Sequence, residues 1–212
     1  MLKLINSVMV RLVNSKKPSF DEVNKQIKLL AKNNSKYVLK DWNVNTIRSY
    51  FNFPELYIDR VLTAKPNAKF VEIGTYEGRS ALFMGKMIKI LNRNDIDFYA
   101  IDNDSRIYPV FKRYIDKFEL KDYIIPIKGD STIVAKTFGD RTLDFVFIDA
   151  EHDFINVDND IKAWLPKVKI GGIISGHDYL LNIYPGLVAA VYKHFGNTIQ
   201  LSNSCWIKEV NE

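Results

Sequence analysis

The sequence has little cysteine, no long apolar run and no recognisable leader. Cys205 is the one cysteine among 212 residues, which excludes an internal disulfide framework and a cysteine-based zinc site. No apolar run reaches the roughly 18 residues that a membrane-spanning helix requires. The N-terminus does not resemble a secretory signal, because Arg11 interrupts its apolar run and no small-residue cleavage site follows. These absences predict a soluble, cytoplasmic globular protein.

The excess of positive charge lies in the first quarter of the chain. Residues 1–53 hold ten lysines and arginines against three acidic residues, whereas residues 54–212 hold 20 against 22. Such a segment can attract nucleic acid, anionic lipid or phosphorylated substrates, or it can be a solvated helical face. Polar side chains recur at helical spacing over residues 2–14, which predicts an amphipathic helix that packs on the core, contacts a second subunit in a homodimer or lies on a membrane surface. We expect a basic helical extension followed by a main domain.

The main domain alternates short strand patterns with helical patterns. Five apolar runs predict strands, at residues 69–73, 97–101, 124–128, 143–148 and 173–176. The fourth run is apolar at nearly every position, which is typical of a parallel strand buried on both faces. Two further β-rich runs, 198–201 and 205–210, predict a terminal antiparallel hairpin. The order indicates an α/β fold with a doubly wound, mostly parallel sheet.

Polar residues follow the predicted strands at their carboxyl ends, where open parallel sheets bind their ligands. Four of the five ends carry an acidic residue, and the first carries two glycines. Mutual repulsion between carboxylates costs stability, so a scaffold without a ligand gains nothing from gathering them. The sequence therefore predicts a ligand site at these residues: 72–78, Asp102, Asp130, 149–152 and 177–178.

The glycine loop after the first strand differs from a dinucleotide-binding loop. Tyr76 occupies the position of the second glycine in G-x-G-x-x-G, and its side chain would crowd a pyrophosphate. A ligand with an adenosine but without phosphates suits this loop better, which weakens the alternative of an NAD-dependent enzyme. Asp102 can accept hydrogen bonds from ribose hydroxyls, and Asp130 can accept one from an adenine amino group.

Five segments together resemble the class I S-adenosylmethionine-dependent methyltransferases: FVEIGTYEGRS, YAIDND, IKGDS, LDFVFIDAEH and GGIISGHDY. More narrowly, the pattern DAEHDF…D…W.P…GGI..GHDY…PG..AAV resembles the small O-methyltransferase group that includes the macrocin and mycinamicin sugar methyltransferases and cephalosporin hydroxylase. The resemblance covers about residues 54–195. Phe154 departs from the tyrosine that is usual in this group. The resemblance implies a Rossmann-like methyltransferase fold, S-adenosylmethionine as the cofactor and O-methylation of a small hydroxylated acceptor such as a sugar.

The resemblance also implies roles for individual residues. Asp149 corresponds to the aspartate that binds a divalent metal in catechol O-methyltransferase-like enzymes. His177 and Asp178 fall on the other two ligand positions, with His177 as a substitution, and His152 falls on the position of the catalytic lysine. The implied cofactor-binding residues are Glu72, Gly74, Thr75, Tyr76, Gly78, Ser80, Asp102, Asp130, Ser131 and Asp149.

The chemistry of these side chains supports metal-assisted catalysis. Asp149 and Asp178 would end adjacent strands, whose axes lie about 4.8 Å apart, so both carboxylates could reach one cation. Oxygen ligands favour Mg²⁺ or Mn²⁺, while a histidine ligand shifts the preference toward transition metals. A cation would lower the pKa of a substrate hydroxyl, or His152 could take the proton as general base. We therefore predict Asp149, His177 and Asp178 as metal ligands, and His152 and Asp149 as catalytic residues.

Two other functions stay open. A nucleic-acid methyltransferase would explain the basic extension. Against it, the fourth strand ends in Asp-Ala-Glu-His rather than the Asn/Asp-Pro-Pro-aromatic motif that faces a flipped base, and no cysteine lies nearby for attack on a pyrimidine. The other alternative is a protein that binds the same cofactor but carries out a metal-dependent oxidation, as a hydroxylase does, or only regulates.

Overall fold

The computed structural model describes residues 47–48 and 50–211. The helix predicted at residues 2–14 and nearly all of the basic extension lie outside the described residues, so both stay predictions. The described helices and strands are, in order, α1 (Pro54–Thr63), β1 (Lys69–Ile73), α2 (Arg79–Ile90), β2 (Asp97–Asp102), α3 (Tyr108–Lys117), β3 (Ile125–Lys128), α4 (Ser131–Ala135), β4 (Leu143–Ile148), α5 (Phe154–Trp164), β5 (Val168–Gly176), α6 (Pro185–Phe195), β6 (Gln200–Ser202) and β7 (Cys205–Glu209).

Proline and capping residues determine where several helices begin. Pro54 opens α1 and Pro185 opens α6, positions where the missing proline N–H costs no hydrogen bond. Asp153 caps α5, because its side chain accepts hydrogen bonds from the backbone N–H groups of Ile155 and Asn156. This cap starts α5 at Phe154, five residues after Asp149.

The seven strands form one sheet in the order β3-β2-β1-β4-β5-β7-β6. Strands β1 to β5 are parallel, and β7 pairs antiparallel with both β5 and β6. This arrangement confirms the doubly wound α/β fold with a terminal hairpin. The chain winds outward from β1 to β3 and then returns to β4 on the other side of β1. A crevice for a ligand is expected at that reversal, outside the carboxyl ends of β1 and β4.

Two elements differ from the sequence prediction. Strand β5 begins at Val168 rather than at Ile173, because the pair Gly171-Gly172 lies inside the strand and does not open it. The pairing of β5 with β4 shifts register between Leu143 and Phe145, which accommodates the extra length as a bulge. The five-residue helix α4 was not predicted from sequence, since its apolar pattern is too short to show a helical period.

Apolar packing on both faces of the sheet makes its central strands rigid. On one face, α5 and α6 contribute to a buried cluster that includes Trp164 and Val191. On the other face, Phe147 of β4 lies 4.6 Å from Phe53 and 5.2 Å from Tyr57, measured between ring centroids. Each such buried side chain contributes on the order of 1.5–3 kcal/mol to folding. The strand ends are thereby held firmly enough to position a site.

The described residues before α1 pack against the sheet domain. Ile47 is buried, and the ring of Phe51 lies 5.0 Å from that of Phe83 on α2. The backbone N–H of Arg48 donates a hydrogen bond of 2.9 Å to Glu77 in the glycine loop.

Within the described part of the chain, no helix is long and apolar enough to cross a membrane.

Candidate active site

The sheet brings the predicted site residues to one edge. Ile73, the last residue of β1, pairs with Ile101 of β2 and with Ile148 of β4, and Ile148 in turn pairs with Gly176 of β5. The residues that follow these strand ends therefore lie side by side. Because the strands are parallel, the glycine loop and the acidic residues after β2, β4 and β5 face the same crevice.

A cavity of about 250 Å³ lies at this edge, beside β1. Five of the ten residues predicted to bind the cofactor line the cavity: Gly74, Tyr76, Asp102, Ser131 and Asp149. The other five do not line it: Glu72, Thr75, Gly78, Ser80 and Asp130. Two polar lining residues were missed, Asn103 and Asp104, although they directly follow Asp102 in the sequence, while Glu151 lines the cavity from within the predicted stretch 149–152. Their adjacency to the predicted residues was the signal that could have found them.

Both glycines of the loop are required by close packing. Gly74 has a φ of +83°, and a Cβ added to it would lie 2.1 Å from the backbone oxygen of Asp149. Gly78 has a φ of +91°, and an added Cβ would lie 2.0 Å from the Phe111 ring. A side chain at either position would therefore be strained and would overlap a neighbour. Gly74 keeps the loop against β4 at the cavity, whereas Gly78 allows α2 to pack against α3.

Asp102 is oriented by the backbone on both of its oxygens. The N–H of Tyr76 donates to Oδ2 over 2.7 Å, and the N–H of Asp104 donates to Oδ1 over 2.8 Å. Tyr76 reaches this position with a φ of +48°. Each carboxylate oxygen keeps a further lone pair that can accept from a ligand hydroxyl. This is the geometry that recognition of a ribose diol requires.

Asp130 and Ser131 are bound to neighbouring elements. Asp130 caps α4 by accepting from the N–H of Ile133 over 3.1 Å and from the Thr132 hydroxyl over 2.6 Å. These hydrogen bonds hold the pKa of Asp130 below its ordinary value. Ser131 Oγ accepts from the indole N–H of Trp164 over 2.7 Å. Ser131 lines the cavity while the Asp130 carboxylate serves the helix cap, so contact of Asp130 with adenine stays a prediction.

Glu72 lies behind the glycine loop in a fully buried network. The Tyr57 hydroxyl donates to Oε2 over 2.7 Å, and the Ser80 hydroxyl donates to Oε1 over 2.6 Å. Burial raises the pKa of Glu72 to about 8, against the opposing effect of these two hydrogen bonds. The network ties β1 to α1 and α2 beneath the loop. In this position Glu72 supports the loop from below and does not reach the cavity wall.

Replacing Glu72 by glutamine should flatten the pH dependence of stability. The pKa of about 8 in the folded chain exceeds the ordinary value of 4.5, so this group's contribution to stability is lost as pH rises from about 4.5 through 8. Glutamine cannot ionise, and between pH 5 and 9 the Tm of Glu72→Gln should fall by roughly 10 °C less than that of wild type. Melting followed by circular dichroism measures this. Glu55→Gln, on the exposed side of α1, is the control and should keep the wild-type dependence of Tm on pH. If wild type, Glu72→Gln and Glu55→Gln all show the same dependence, the raised pKa of Glu72 is wrong.

Two carboxylates and two imidazoles cluster beside the cavity. His177 Nδ1 lies 3.3 Å from Asp178 Oδ1 and 3.6 Å from Asp149 Oδ1. His152 Nε2 lies 2.9 Å from Asp178 Oδ2, and the Tyr184 ring stacks on His152 at 4.4 Å between centroids. Asp178 has a φ of +58°, a left-handed conformation that aspartate tolerates better than most residues. The structure thus brings together all four residues predicted for metal binding or catalysis.

The cluster balances its charges internally. Burial raises the pKa of Asp149, although His177 beside it opposes the effect. Burial alone would lower the pKa of His177, but the carboxylates of Asp149 and Asp178 outweigh it and raise that pKa to about 9. Burial also favours a higher pKa for Asp178, yet the two imidazoles hold it well below its usual range. Asp178 likewise raises the pKa of His152. A cation that enters the cluster would therefore displace protons.

The donor set of the cluster fits a divalent cation. Asp149, His152 and Asp178 each offer one ligand atom, and these atoms lie within 4.8 Å of one another. His152 Nε2 lies 2.9 Å from Asp178 Oδ2, so it could act as a ligand only as the neutral imidazole, after losing the proton that this carboxylate favours. His177 lies behind the two acids, with its Nε2 directed at Asn52 and Ser204. The group that meets this spacing contains His152 rather than His177, and the ligand role expected for His177 stays a prediction.

A parallel α/β sheet with a glycine loop after β1, an acid at the end of β2 and a cavity beside them is the arrangement in which doubly wound folds bind nucleoside-containing ligands. A family model described as a methyltransferase domain matches residues 71–179, just over half of the chain. The chain belongs to this methyltransferase family, and its fold is that of the class I methyltransferases.

Individual proteins similar to this chain support the same fold. The uncharacterized protein R132 of Acanthamoeba polyphaga mimivirus is 26% identical over 162 residues, which cover 72% of this chain and 69% of that protein. A candidate caffeoyl-CoA O-methyltransferase from Staphylococcus aureus has a TM-score of 0.62 at 18% identity, over 87% of this chain and 96% of that one. CalS11, a TDP-rhamnose 3′-O-methyltransferase of calicheamicin biosynthesis, has a TM-score of 0.62 at 14% identity, over 100% and 94%. Identities this low in the two solved structures establish a common fold alone.

Proposed function

We propose that this protein is an S-adenosylmethionine-dependent O-methyltransferase that acts on a small hydroxylated acceptor with the help of a divalent cation. The proposal rests on the location of Asp149, which belongs both to the cavity and to the cation cluster. It lines the cavity beside the glycine loop, and it belongs to the cluster that fits a cation. A cofactor in the cavity and an acceptor held at the cluster would therefore meet at this residue.

The residues around the cavity fit an adenosine ligand without phosphates. Asp102 would accept from the ribose hydroxyls, and Tyr76, which lines the cavity in place of the second glycine of a dinucleotide loop, would crowd a pyrophosphate. Ser131 would lie against the base. S-adenosylmethionine supplies an activated methyl group when bound, so the protein needs no covalent catalysis and gains rate chiefly by positioning the two reactants.

For the cation we propose Asp149, His152 and Asp178 as ligands, in place of the expected set with His177. Two carboxylate oxygens and one imidazole nitrogen suit Mg²⁺ or Mn²⁺, with some preference for transition metals because of His152. A divalent cation at this site would supply a Lewis acid that lowers the pKa of an acceptor hydroxyl. In this arrangement His152 is a ligand and cannot also be the general base, which is its alternative role in a metal-free enzyme.

The acceptor would enter past the loop after β5, beside the cluster. Tyr184 ends this loop and stacks on His152, while Leu180, Leu181 and Ile183 expose apolar side chains. A ring with both an apolar face and neighbouring hydroxyls suits such a wall. Sugars are therefore the first class to test, as with the TDP-rhamnose acceptor in the name of CalS11, and catechols the second.

We further propose that the protein acts in the cytoplasm and that a homodimer contact involves residues 2–14.

Methyl transfer from radiolabelled S-adenosylmethionine tests the proposal. The full chain is incubated with nucleotide sugars, free sugars and catechols in EDTA, and then with Mg²⁺ or Mn²⁺. We expect label on a hydroxyl of one acceptor class, lost in EDTA and restored by the cation. Equal transfer in EDTA would remove the cation from the proposal. Label found only on RNA or DNA, with steeply salt-dependent binding, would establish the nucleic-acid alternative instead. An iron-dependent oxidation without methyl transfer would establish the hydroxylase-like alternative.

A further inference from the structure

Asn52 connects the chain before α1 to the acid pair of the candidate site. Its Oδ1 lies 2.9 Å from Nε2 of His177, and Oγ of Ser204 lies 2.7 Å from the same nitrogen. The other ring nitrogen, Nδ1, lies 3.3 Å from Asp178 and 3.6 Å from Asp149. One buried imidazole thus joins Asn52 and Ser204 on one side to both carboxylates on the other.

Hydrogen-bond chemistry determines how the imidazole is held. The Oδ1 of Asn52 only accepts, so Nε2 of His177 carries a hydrogen and donates it toward Asn52 and Ser204. The His177 side chain is 1% exposed, and no water is needed to satisfy Nε2. Rotation of the ring would break these contacts and bury an unsatisfied donor, which is costly. The contacts with Asn52 and Ser204 therefore fix the orientation of the ring, and this orientation places Nδ1 next to the two carboxylates.

The turn between β6 and β7 fixes Asn52 in its place. Asn203 Nδ2 donates to the backbone oxygen of Asn52 over 3.0 Å, and Asn52 Nδ2 donates to Ser204 Oγ over 3.2 Å. The backbone oxygen of Ser204 accepts from the N–H of Tyr179, next to Asp178. The terminal hairpin therefore holds Asn52 and the end of β5 together. These contacts give a structural role to two segments in which the sequence shows no recognisable motif, the residues just before α1 and the terminal hairpin.

We propose that Asn52, supported by Ser204, is a positioning residue that holds His177 so that the carboxylates of Asp149 and Asp178 stay together as a cation site. The inference rests on the proposed function, since it assumes that a divalent cation binds there. Outer partners that orient metal-binding side chains typically change metal affinity by about 10–100-fold when they are removed. Asn52 acts one residue further out, and we expect an effect at the lower end of that range.

Mn²⁺ binding to the full chain tests this role without any turnover. Free Mn²⁺ is measured by electron paramagnetic resonance as protein is added, and S-adenosylhomocysteine affinity is measured in parallel. Asn52→Ala should weaken Mn²⁺ binding about 10-fold and leave S-adenosylhomocysteine affinity within about twofold. Asn52→Asp keeps the acceptor oxygen and should rescue Mn²⁺ binding to within about threefold of wild type. Asn94→Ala, an exposed asparagine in the turn before β2, is the matched control and should change neither affinity.

The ring itself provides a second readout. The chain has three histidines, so ¹⁵N NMR can resolve them, and Asn52→Ala should shift the Nε2 signal of His177 but not that of His194. If wild type and Asn52→Ala bind Mn²⁺ equally, the inference is wrong while the cation site stands. If wild type binds no Mn²⁺, the proposed cation site fails and the inference fails with it. Should Asn52→Ala not fold, Ser204→Ala removes the second acceptor, and unchanged Mn²⁺ binding there would overturn the inference.

Discussion

Asp149→Asn should lower methyl-transfer turnover by roughly 100-fold or more while cofactor binding stays within a few-fold of wild type. Asp149 contributes one of the two carboxylates in the cation cluster. Removing the carboxylate leaves Asp178 and His152, which would bind a divalent cation far more weakly. Single-turnover rates with saturating Mg²⁺, together with S-adenosylhomocysteine titrations, separate the two effects.

Asp144→Asn is the matched control for this experiment. Asp144 lies near the start of β4, at the opposite end of the strand from Asp149, and accepts from Lys69 N and Lys169 Nζ. The same chemical change there should reduce stability somewhat and leave the turnover of the folded protein unchanged. If Asp149→Asn and Asp144→Asn lose turnover equally, the loss is structural and Asp149 has no special role at the cation.

Asp102→Ala should weaken cofactor binding by roughly 100-fold or more. The carboxylate is aimed by the backbone N–H groups of Tyr76 and Asp104, and it would accept two hydrogen bonds from the ribose. Hydrogen bonds to a charged group contribute about 1.5–3 kcal/mol each, so losing two of them accounts for the size of the effect. Equilibrium dialysis with S-adenosylhomocysteine measures the loss directly.

Asp97→Ala tests whether this loss is specific to the site. Asp97 lies on the same strand, β2, at its opposite and exposed end. The Asp97→Ala variant should bind S-adenosylhomocysteine as wild type does.

Mn²⁺ binding in the absence of cofactor separates the two roles: it should be normal in Asp102→Ala and weakened in Asp149→Asn. If both variants lose cofactor affinity to the same extent, the separation of cofactor and cation roles is wrong.

The parts of the fold that follow from local sequence were predicted well. The apolar runs of β1 and β4, with glycine or an acid directly behind them, mark buried parallel strands and the positions at which they end. Strand β5 was predicted too short because Gly171-Gly172 is typical of a turn, whereas backbone hydrogen bonds with Val210 keep both glycines in the strand. Helix α4 depends on the Asp130 cap and has too few residues for a periodic pattern.

The sequence indicates which residues gather at the sheet edge, but not how their side chains are oriented there. The spacing places Asp149, His152, His177 and Asp178 at one sheet edge, yet it does not say how the His177 ring is oriented toward the two acids. That depends on Asn52, which lies 125 residues before His177, and on the turn that holds Ser204. Likewise, the position of Glu72 beside the loop is evident in the sequence, but its burial beneath Tyr57 and Ser80 depends on how α1 packs.

Calorimetric titration with S-adenosylhomocysteine tests the central claim most directly. The full wild-type chain is titrated first in EDTA and then in Mg²⁺. We predict micromolar binding in both conditions, because the cavity formed by the glycine loop and Asp102 does not need the cation, with any gain in Mg²⁺ arising from the adjoining Asp149. The absence of binding in both conditions would contradict the account, and the cavity beside β1 would then have to serve a different ligand.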